Sequence, residues 1–115
     1  MILAIVDDLM FASNIKTAAN GLGVQVVFAR SRDTALEEMR KRAPVLVIFD
    51  LNSARTDPLG IVAAMKTEPS LASIPTLGFV SHVRTDIIDA ARQAGVTEVM
   101  ARSAFTEQLA EILSR

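Results

Sequence analysis

The sequence predicts an α/β fold in which a parallel five-stranded sheet lies between two layers of helices. Two short apolar runs, Ile2 to Val6 and Val45 to Phe49, each end in carboxylates. This pattern is typical of strands that are buried on both faces and end at a functional edge. Strand-like and helix-like segments alternate five times along 115 residues, which favours one domain, residues 1–115, with right-handed crossovers between its strands.

The first helix and the second strand follow the opening apolar run. Apolar residues at helical spacing from Ile15 to Leu22, followed by Gly23, predict a helix with a glycine stop. The run from Val24 to Phe28 predicts a strand. Gln25 within that run indicates an outer, less buried position in the sheet.

Capping residues predict where the next two helices begin. Ser31 or Asp33 is the expected cap of the second helix, and Pro44 marks its end before the central strand. Asp57 followed by Pro58 is typical of a cap and a first helical residue, so a third helix is expected there.

The second half of the chain continues the alternation. Ile74 to Val80 predicts the fourth strand, in which Gly78 is an unfavourable residue. Thr85 is the expected cap of a fourth helix, Val99 to Ala101 form a short last strand, and Thr106 is the expected cap of a fifth helix. The prediction is therefore a three-layer sandwich with five strands and five helices.

The expected strand order is 2-1-3-4-5, the flavodoxin-like arrangement, whose ligands bind where the order reverses between strands 1 and 3. This order brings Asp7 and Asp8 next to Asp50. Clustered carboxylates repel one another unless a cation neutralises them, and oxygen-only ligands suit a hard ion such as Mg²⁺. The alternative interpretation is that these aspartates only cap helices or lead into loops.

Several sequence motifs together resemble the receiver domain of bacterial response regulators, over the whole length of the chain. The motifs are Val6-Asp7-Asp8, Phe49-Asp50-Leu51-Asn52, Ile74-Pro75, Val80-Ser81, and Gly95-Val96-Thr97-Glu98 before Arg102.

The resemblance implies a role for each polar residue of these motifs. Asp50 would be the phosphoacceptor, and Ser81 would contact the phosphoryl group. Asp8, Asp50, the backbone carbonyl of Asn52 and, less directly, Asp7 would hold Mg²⁺. Arg102 stands where this family has a lysine, and it keeps a positive charge that can pair with phosphate.

The chain also departs from the family pattern. Ser103 follows Arg102 where proline is usual, Val99 occupies the position of the switch aromatic, and His82 follows Ser81 where a small residue is usual. An arginine fork differs from a lysine in size and hydration. Two hypotheses therefore stay open: a phosphorylated receiver, and a degenerate pseudo-receiver that acts as a phosphorylation-independent interaction module.

Some of the candidate residues have a purely structural interpretation as well. The Ser81 hydroxyl could bond to local backbone, and Arg102 could be an ordinary surface arginine, although the nearby acids favour an inward ion pair. Met10 and Phe11 could shield the site from water or simply pack at the start of a helix. His82 could gate the site or be solvated.

Composition and family resemblance together indicate the class of partner. Twelve basic and thirteen acidic residues give a net charge of -1, which argues against direct nucleic-acid or membrane binding. The chain has no cysteine and no apolar run of membrane-spanning length, so we expect a cytoplasmic protein. The resemblance implies a non-enzymatic signalling module. Its partners would be a sensor histidine kinase or phosphotransfer protein and a downstream protein or output domain, with a homodimer left open.

Overall fold

A five-stranded parallel sheet of order β2-β1-β3-β4-β5 forms the centre of the domain. The computed structural model describes residues 1–81 and 84–115. The strands are β1 (Ile2–Ile5), β2 (Val26–Ala29), β3 (Leu46–Asp50), β4 (Thr76–Val80) and β5 (Glu98–Ala101). The described helices are α1 (Leu9–Leu22), α2 (Arg32–Arg42), α3 (Pro58–Thr67), α4 (Thr85–Ala94), α5 (Arg102–Glu107) and α6 (Leu109–Leu113). The predicted α/β class and the flavodoxin-like strand order are confirmed.

Two apolar cores cover the two faces of the sheet. Helices α2, α3 and α4 pack on one face, where Phe49 and Leu51 are buried. Helices α1, α5 and α6 pack on the other face, where Ile48 and Phe79 are buried. Neighbouring residues of the central strand therefore point into different cores, as the pleat of a strand requires. The three-layer arrangement explains why this strand is an unbroken apolar run.

The register of the strands brings their carboxyl ends to a common edge. Ile5 lies opposite Phe49 in the pairing of β1 with β3, and Asp50 lies opposite Phe79 in the pairing of β3 with β4. Val80 lies opposite Ala101 in the pairing of β4 with β5. The residues directly after these pairs, on four adjacent strands, therefore meet at one edge of the sheet.

Several element boundaries differ from the sequence prediction. Strand β2 begins at Val26 and not at Val24, because the chain first closes α1 with a left-handed Gly23. Thr85 is the first residue of α4, whose N-cap is Arg84. Gln25 is exposed and precedes β2, which is an edge strand as predicted.

The C-terminal helical segment also corrects the prediction of five helices. Helix α5 begins at Arg102, directly after β5, so Thr106 lies inside it and is not a cap. The Thr106 hydroxyl donates to the Arg102 carbonyl oxygen at 3.0 Å. Gln108, with φ -98° and ψ 8°, separates α5 from α6, so the described residues contain six helices.

Close packing against Leu51 explains why the fourth strand contains Gly78, although glycine is unfavourable in strands. A Cβ atom at this position would lie 2.5 Å from Leu51 Cδ1 and 2.7 Å from Leu51 Cγ. Only glycine leaves room for Leu51, which is buried directly after Asp50.

Within the described residues, no helix has both the length and the apolar character needed to cross a membrane.

Candidate functional site

The predicted site residues occupy the loops at the carboxyl edge of the sheet. Asp8 follows β1, Asp50 ends β3, Ser81 follows β4 and Arg102 follows β5. Strand β3 lies between β1 and β4. Strand β3, which ends at Asp50, therefore lies between Asp8 on one side and Ser81 and Arg102 on the other.

Asp8 is the N-cap of α1. Its Oδ1 accepts hydrogen bonds from the backbone N–H groups of Met10 at 3.0 Å and Phe11 at 3.1 Å. Its Oδ2 accepts a charge-assisted hydrogen bond from Arg102 Nη2 at 3.3 Å. The Phe11 backbone N–H and the Arg102 guanidinium hold the pKa of Asp8 below its usual range, against a smaller opposing effect of burial. The capping interpretation is thus correct for Asp8, which also has a charged partner.

Arg102 points into the site and makes three different contacts. Its Nη1 donates to Ser81 Oγ at 3.3 Å, while Nη2 contacts Asp8. The guanidinium carbon lies 3.9 Å from the centroid of the Phe11 ring, in a cation–π contact. The Arg102 side chain is about one third exposed, at 34%. The inward interpretation of this residue is confirmed.

Asp50 is partly buried at the end of β3. Its Oδ1 accepts a hydrogen bond from the backbone N–H of Asn52 at 3.0 Å. Burial raises the pKa of Asp50, and the charges of Asp8 and Asp7 raise it further, while the Asn52 N–H and Arg102 oppose the increase. Among these causes, removal from water has the largest effect on the pKa of the Asp50 carboxyl group.

Asn52 connects the loop after β3 to the end of β4. Its side-chain oxygen accepts a hydrogen bond from the backbone N–H of Ser81 at 2.5 Å. The Ser81 hydroxyl oxygen in turn accepts a hydrogen bond from Arg102 Nη1. The positions of these residues thus depend on one another.

Asp7 pairs with two arginines that the sequence interpretation had not assigned to the site. Arg30 Nε lies 3.4 Å from Asp7 Oδ1, and Arg55 Nη1 lies 3.7 Å from Asp7 Oδ2. Arg30 directly follows β2, the neighbour of β1, so the predicted strand order contained a signal for this pair. Arg55 lies in an irregular loop for which the sequence contains no such signal.

Solved structures of response regulators have the same fold as this chain. The phosphorylated cyanobacterial phytochrome response regulator RcpA is 26% identical with a TM-score of 0.80, over 97% of this chain and 86% of that protein. The Mn²⁺-bound form of response regulator Rcp1 is 17% identical with a TM-score of 0.81, over 98% and 91%. A response regulator from Hahella chejuensis is 18% identical with a TM-score of 0.87, over 98% and 91%. The chain folds as a response regulator receiver domain. Neither a protein-family model nor a curated protein sequence matches it.

The site of this chain differs from the pattern of receiver domains at the positions noted in the sequence. Arg102 occupies the place of the lysine and contacts both Asp8 and Ser81. Val99 is partly buried in β5 and packs against the core below α4. His82, the candidate gate, lies outside the described residues.

The oxygen atoms of the site fit a hard cation in chemical type. Carboxylate and carbonyl oxygens are the ligands that Mg²⁺ prefers, and Asp8, Asp50 and the carbonyl of Asn52 could supply them. Among residues 1–81 and 84–115, no group of three or more His, Cys, Asp or Glu side chains is arranged to hold a metal ion. In the observed arrangement Asp8 uses both oxygens, one on the helix terminus and one on Arg102. The assignment of Asp7, Asp8, Asp50 and Asn52 to Mg²⁺ stays a prediction.

Proposed function

We propose that this receiver domain accepts a phosphoryl group on Asp50 and relays the resulting change to a partner protein or output domain. The receiver fold itself supports a role in two-component signalling. The proposal of phosphoryl transfer to Asp50 rests mainly on the contacts of Arg102 with Asp8 and Ser81. These contacts lie at the edge of the sheet where β3 ends with Asp50. A hydroxyl group and a guanidinium are thereby available as donors to an incoming phosphoryl group.

The transfer step requires little covalent chemistry from the protein. A carboxylate oxygen of Asp50 attacks the phosphorus of a phosphohistidine, the P–N bond breaks, and its electron pair stays on the imidazole nitrogen. The partly buried carboxylate gives up little hydration on attack, because folding has already removed much of its contact with water.

The other site residues would bind the charge that arrives at Asp50. The phosphoryl group adds roughly -1.5 to -2 charges at neutral pH. Ser81 and Arg102 donate hydrogen bonds to its oxygens, with the arginine supplying a positive charge. A bound Mg²⁺ would supply further neutralisation, held by Asp8, Asp50 and the Asn52 carbonyl, and less directly by Asp7. Support for a divalent cation comes from the Mn²⁺-bound form of Rcp1, and support for phosphorylation from phosphorylated RcpA.

The second candidate function is that of a pseudo-receiver. The contacts that Arg102 makes with Asp8 and Ser81 without a phosphoryl group favour it. In this case the ion pair with Asp8 would hold the edge in one conformation. The domain would then bind its partner without phosphorylation.

The proposed partners follow from the proposed reaction. A sensor histidine kinase or phosphotransfer protein would donate the phosphoryl group, and a downstream protein or output domain would receive the signal. The domain would act as a signalling module and not as an enzyme. The cytoplasmic location and the absence of nucleic-acid binding stay predictions, as does the single domain spanning residues 1–115.

Thermal unfolding with and without Mg²⁺ and beryllofluoride, which mimics a phosphoryl group, tests the proposed function. The wild type should be stabilised by the two ligands together, because binding to the folded state alone raises the melting temperature. Arg102→Ala should lose most of that shift, and Arg102→Lys should keep it because the positive charge remains. Asp50→Asn serves as the control that lacks the attachment point. A wild type whose melting temperature never changes would support the pseudo-receiver.

A further inference from the structure

We propose that Phe11 is a positioning residue whose ring holds Arg102 on Asp8 and thereby weakens the binding of a divalent cation. The proposal rests on the proposed function, because it concerns the cation of the same site. Its central observation is the distance of 3.9 Å between the Arg102 guanidinium carbon and the centroid of the Phe11 ring.

The Phe11 ring is itself fixed by two other rings. Its centroid lies 5.0 Å from that of Phe79 on β4 and 5.8 Å from that of Phe105 on α5. Phe79 and Phe105 stack on each other at 4.9 Å, and both are fully buried. Phe11 is only 7% exposed. The guanidinium therefore lies over a ring that has little freedom to move away from it.

Phe11 also organises the other side of the ion pair. Its backbone N–H donates to Asp8 Oδ1, while its ring carries the guanidinium that contacts Asp8 Oδ2. One residue thus positions both the carboxylate and its cationic partner. Met10, which makes the other backbone contact to Asp8, is 81% exposed and has no comparable role for its side chain.

A divalent cation would compete with Arg102 for Asp8. The Oδ1 atom already receives two backbone N–H groups, and Oδ2 receives the arginine. A cation that binds Asp8 must share or displace one of these positively polarised partners, and the arginine repels it. Any contact that favours the arginine-bound form therefore raises the apparent Kd of the cation.

The size of the effect follows from the strength of a partly exposed cation–π contact. Losing such a contact shifts an equilibrium roughly two- to fivefold. The net charge of the site does not change when Phe11 is replaced by an apolar residue. Phe11→Leu should therefore bind the cation roughly two- to fivefold more tightly than the wild type.

Binding of Mn²⁺ to the unphosphorylated domain, measured by titration calorimetry or by the EPR signal of free Mn²⁺, tests the inference. Phe105→Leu is the matched control, because it removes a ring from the same aromatic cluster but leaves Phe11 beneath Arg102. We expect a lower Kd for Phe11→Leu and a clearly smaller decrease for Phe105→Leu, in which the Phe11 ring itself remains. An equal or higher Kd for Phe11→Leu would overturn the inference, as would a lack of Mn²⁺ binding in every variant.

A second variant covers the case in which Phe11→Leu does not fold. Incorporation of 3,5-difluorophenylalanine at position 11 keeps the shape of the ring and weakens its attraction for a cation. The Kd for Mn²⁺ should fall in this variant too, and an unchanged value would overturn the inference. Because no phosphodonor is present, a failure of phosphoryl transfer would leave the difference in Mn²⁺ binding intact.

Discussion

Gly78→Ala should destabilise the domain, because the added methyl group would overlap with the side chain of Leu51, the residue that follows the proposed phosphoacceptor. The new methyl group would lie 2.5 Å from Leu51 Cδ1 and 2.7 Å from Cγ. Non-bonded carbon atoms in folded proteins do not approach each other so closely. Leu51 is 5% exposed, and its backbone N–H donates to the Phe79 carbonyl oxygen at 3.0 Å. Neither the side chain nor the backbone of Leu51 can therefore move away freely.

Two opposing effects decide the magnitude. Alanine gains about 0.5–1 kcal/mol over glycine inside a strand, because the unfolded chain loses less entropy on folding. Overpacking of a filled core costs about 1–3 kcal/mol. At a contact of 2.5 Å the overpacking effect dominates, and we expect a net loss of about 1–2 kcal/mol in the free energy of unfolding.

A double-mutant cycle identifies the clash as the cause. Leu51→Ala alone should cost about 2–5 kcal/mol, because it leaves a cavity. In the Leu51→Ala background the new methyl group at position 78 fills part of that cavity, so Gly78→Ala should become neutral or stabilising. The coupling free energy between the two positions should be about 1–3 kcal/mol.

Urea denaturation followed by circular dichroism gives the four free energies of unfolding. Gly21→Ala is the matched control, because Gly21 lies in α1 and, apart from its chain neighbours and the adjacent helix backbone, no atom of the described residues lies within 4 Å of its added Cβ. This control should gain about 0.5–1 kcal/mol from helix propensity. A Gly78→Ala variant as stable as the wild type, or a cycle whose effects simply add, would refute the reasoning.

Three further comparisons test the site and its surroundings. Burial raises the pKa of Asp50, so the folded wild type keeps its proton to higher pH than the unfolded chain and loses stability as the pH rises above about 4. In urea titrations across pH, the stability of Asp50→Asn relative to the wild type should therefore increase over that range and then level off. A constant difference would contradict the assignment. Asp8→Ala should lower the melting temperature, whereas Asp8→Asn keeps a side-chain oxygen for the helix cap and should lower it less. Equal losses would mean that the Arg102 pair matters more than the cap. Finally, Thr76→Val should cost about 1–3 kcal/mol, because it leaves the Thr97 N–H without its acceptor. Thr56→Val should be neutral or stabilising by about 1 kcal/mol, because the buried Thr56 hydroxyl has no hydrogen-bond partner within the described residues. A loss of similar size at both threonines would contradict this distinction.

The sequence was sufficient to predict which residues meet at the edge of the sheet. Asp8, Asp50, Ser81 and Arg102 each follow or end an apolar run, and the carboxyl ends of parallel strands share one edge. The proximity of these residues depends on strand order alone. It is therefore unaffected by the differences between the predicted and observed ends of β2 and of the C-terminal helices.

Side-chain partners were harder to predict, because they depend on rotamers and loop paths. The expectation that clustered acids simply repel was incomplete, since Asp7 lies against Arg30 and Arg55, and Asp8 lies against Arg102. Because Asp8 has these partners, its removal should cost stability and not relieve repulsion. The sequence likewise left open whether Phe11 shields the site or packs at the start of a helix, and it contained no information on the contact between its ring and Arg102.

Intact mass spectrometry after incubation with acetyl phosphate and Mg²⁺ tests the central claim most directly. We expect one phosphoryl adduct on the wild-type domain and none on Asp50→Asn, with a receiver domain that has the usual lysine as the positive control. A wild type that stays unmodified while the positive control is phosphorylated, or an equal adduct on Asp50→Asn, would contradict Asp50 as the phosphoacceptor.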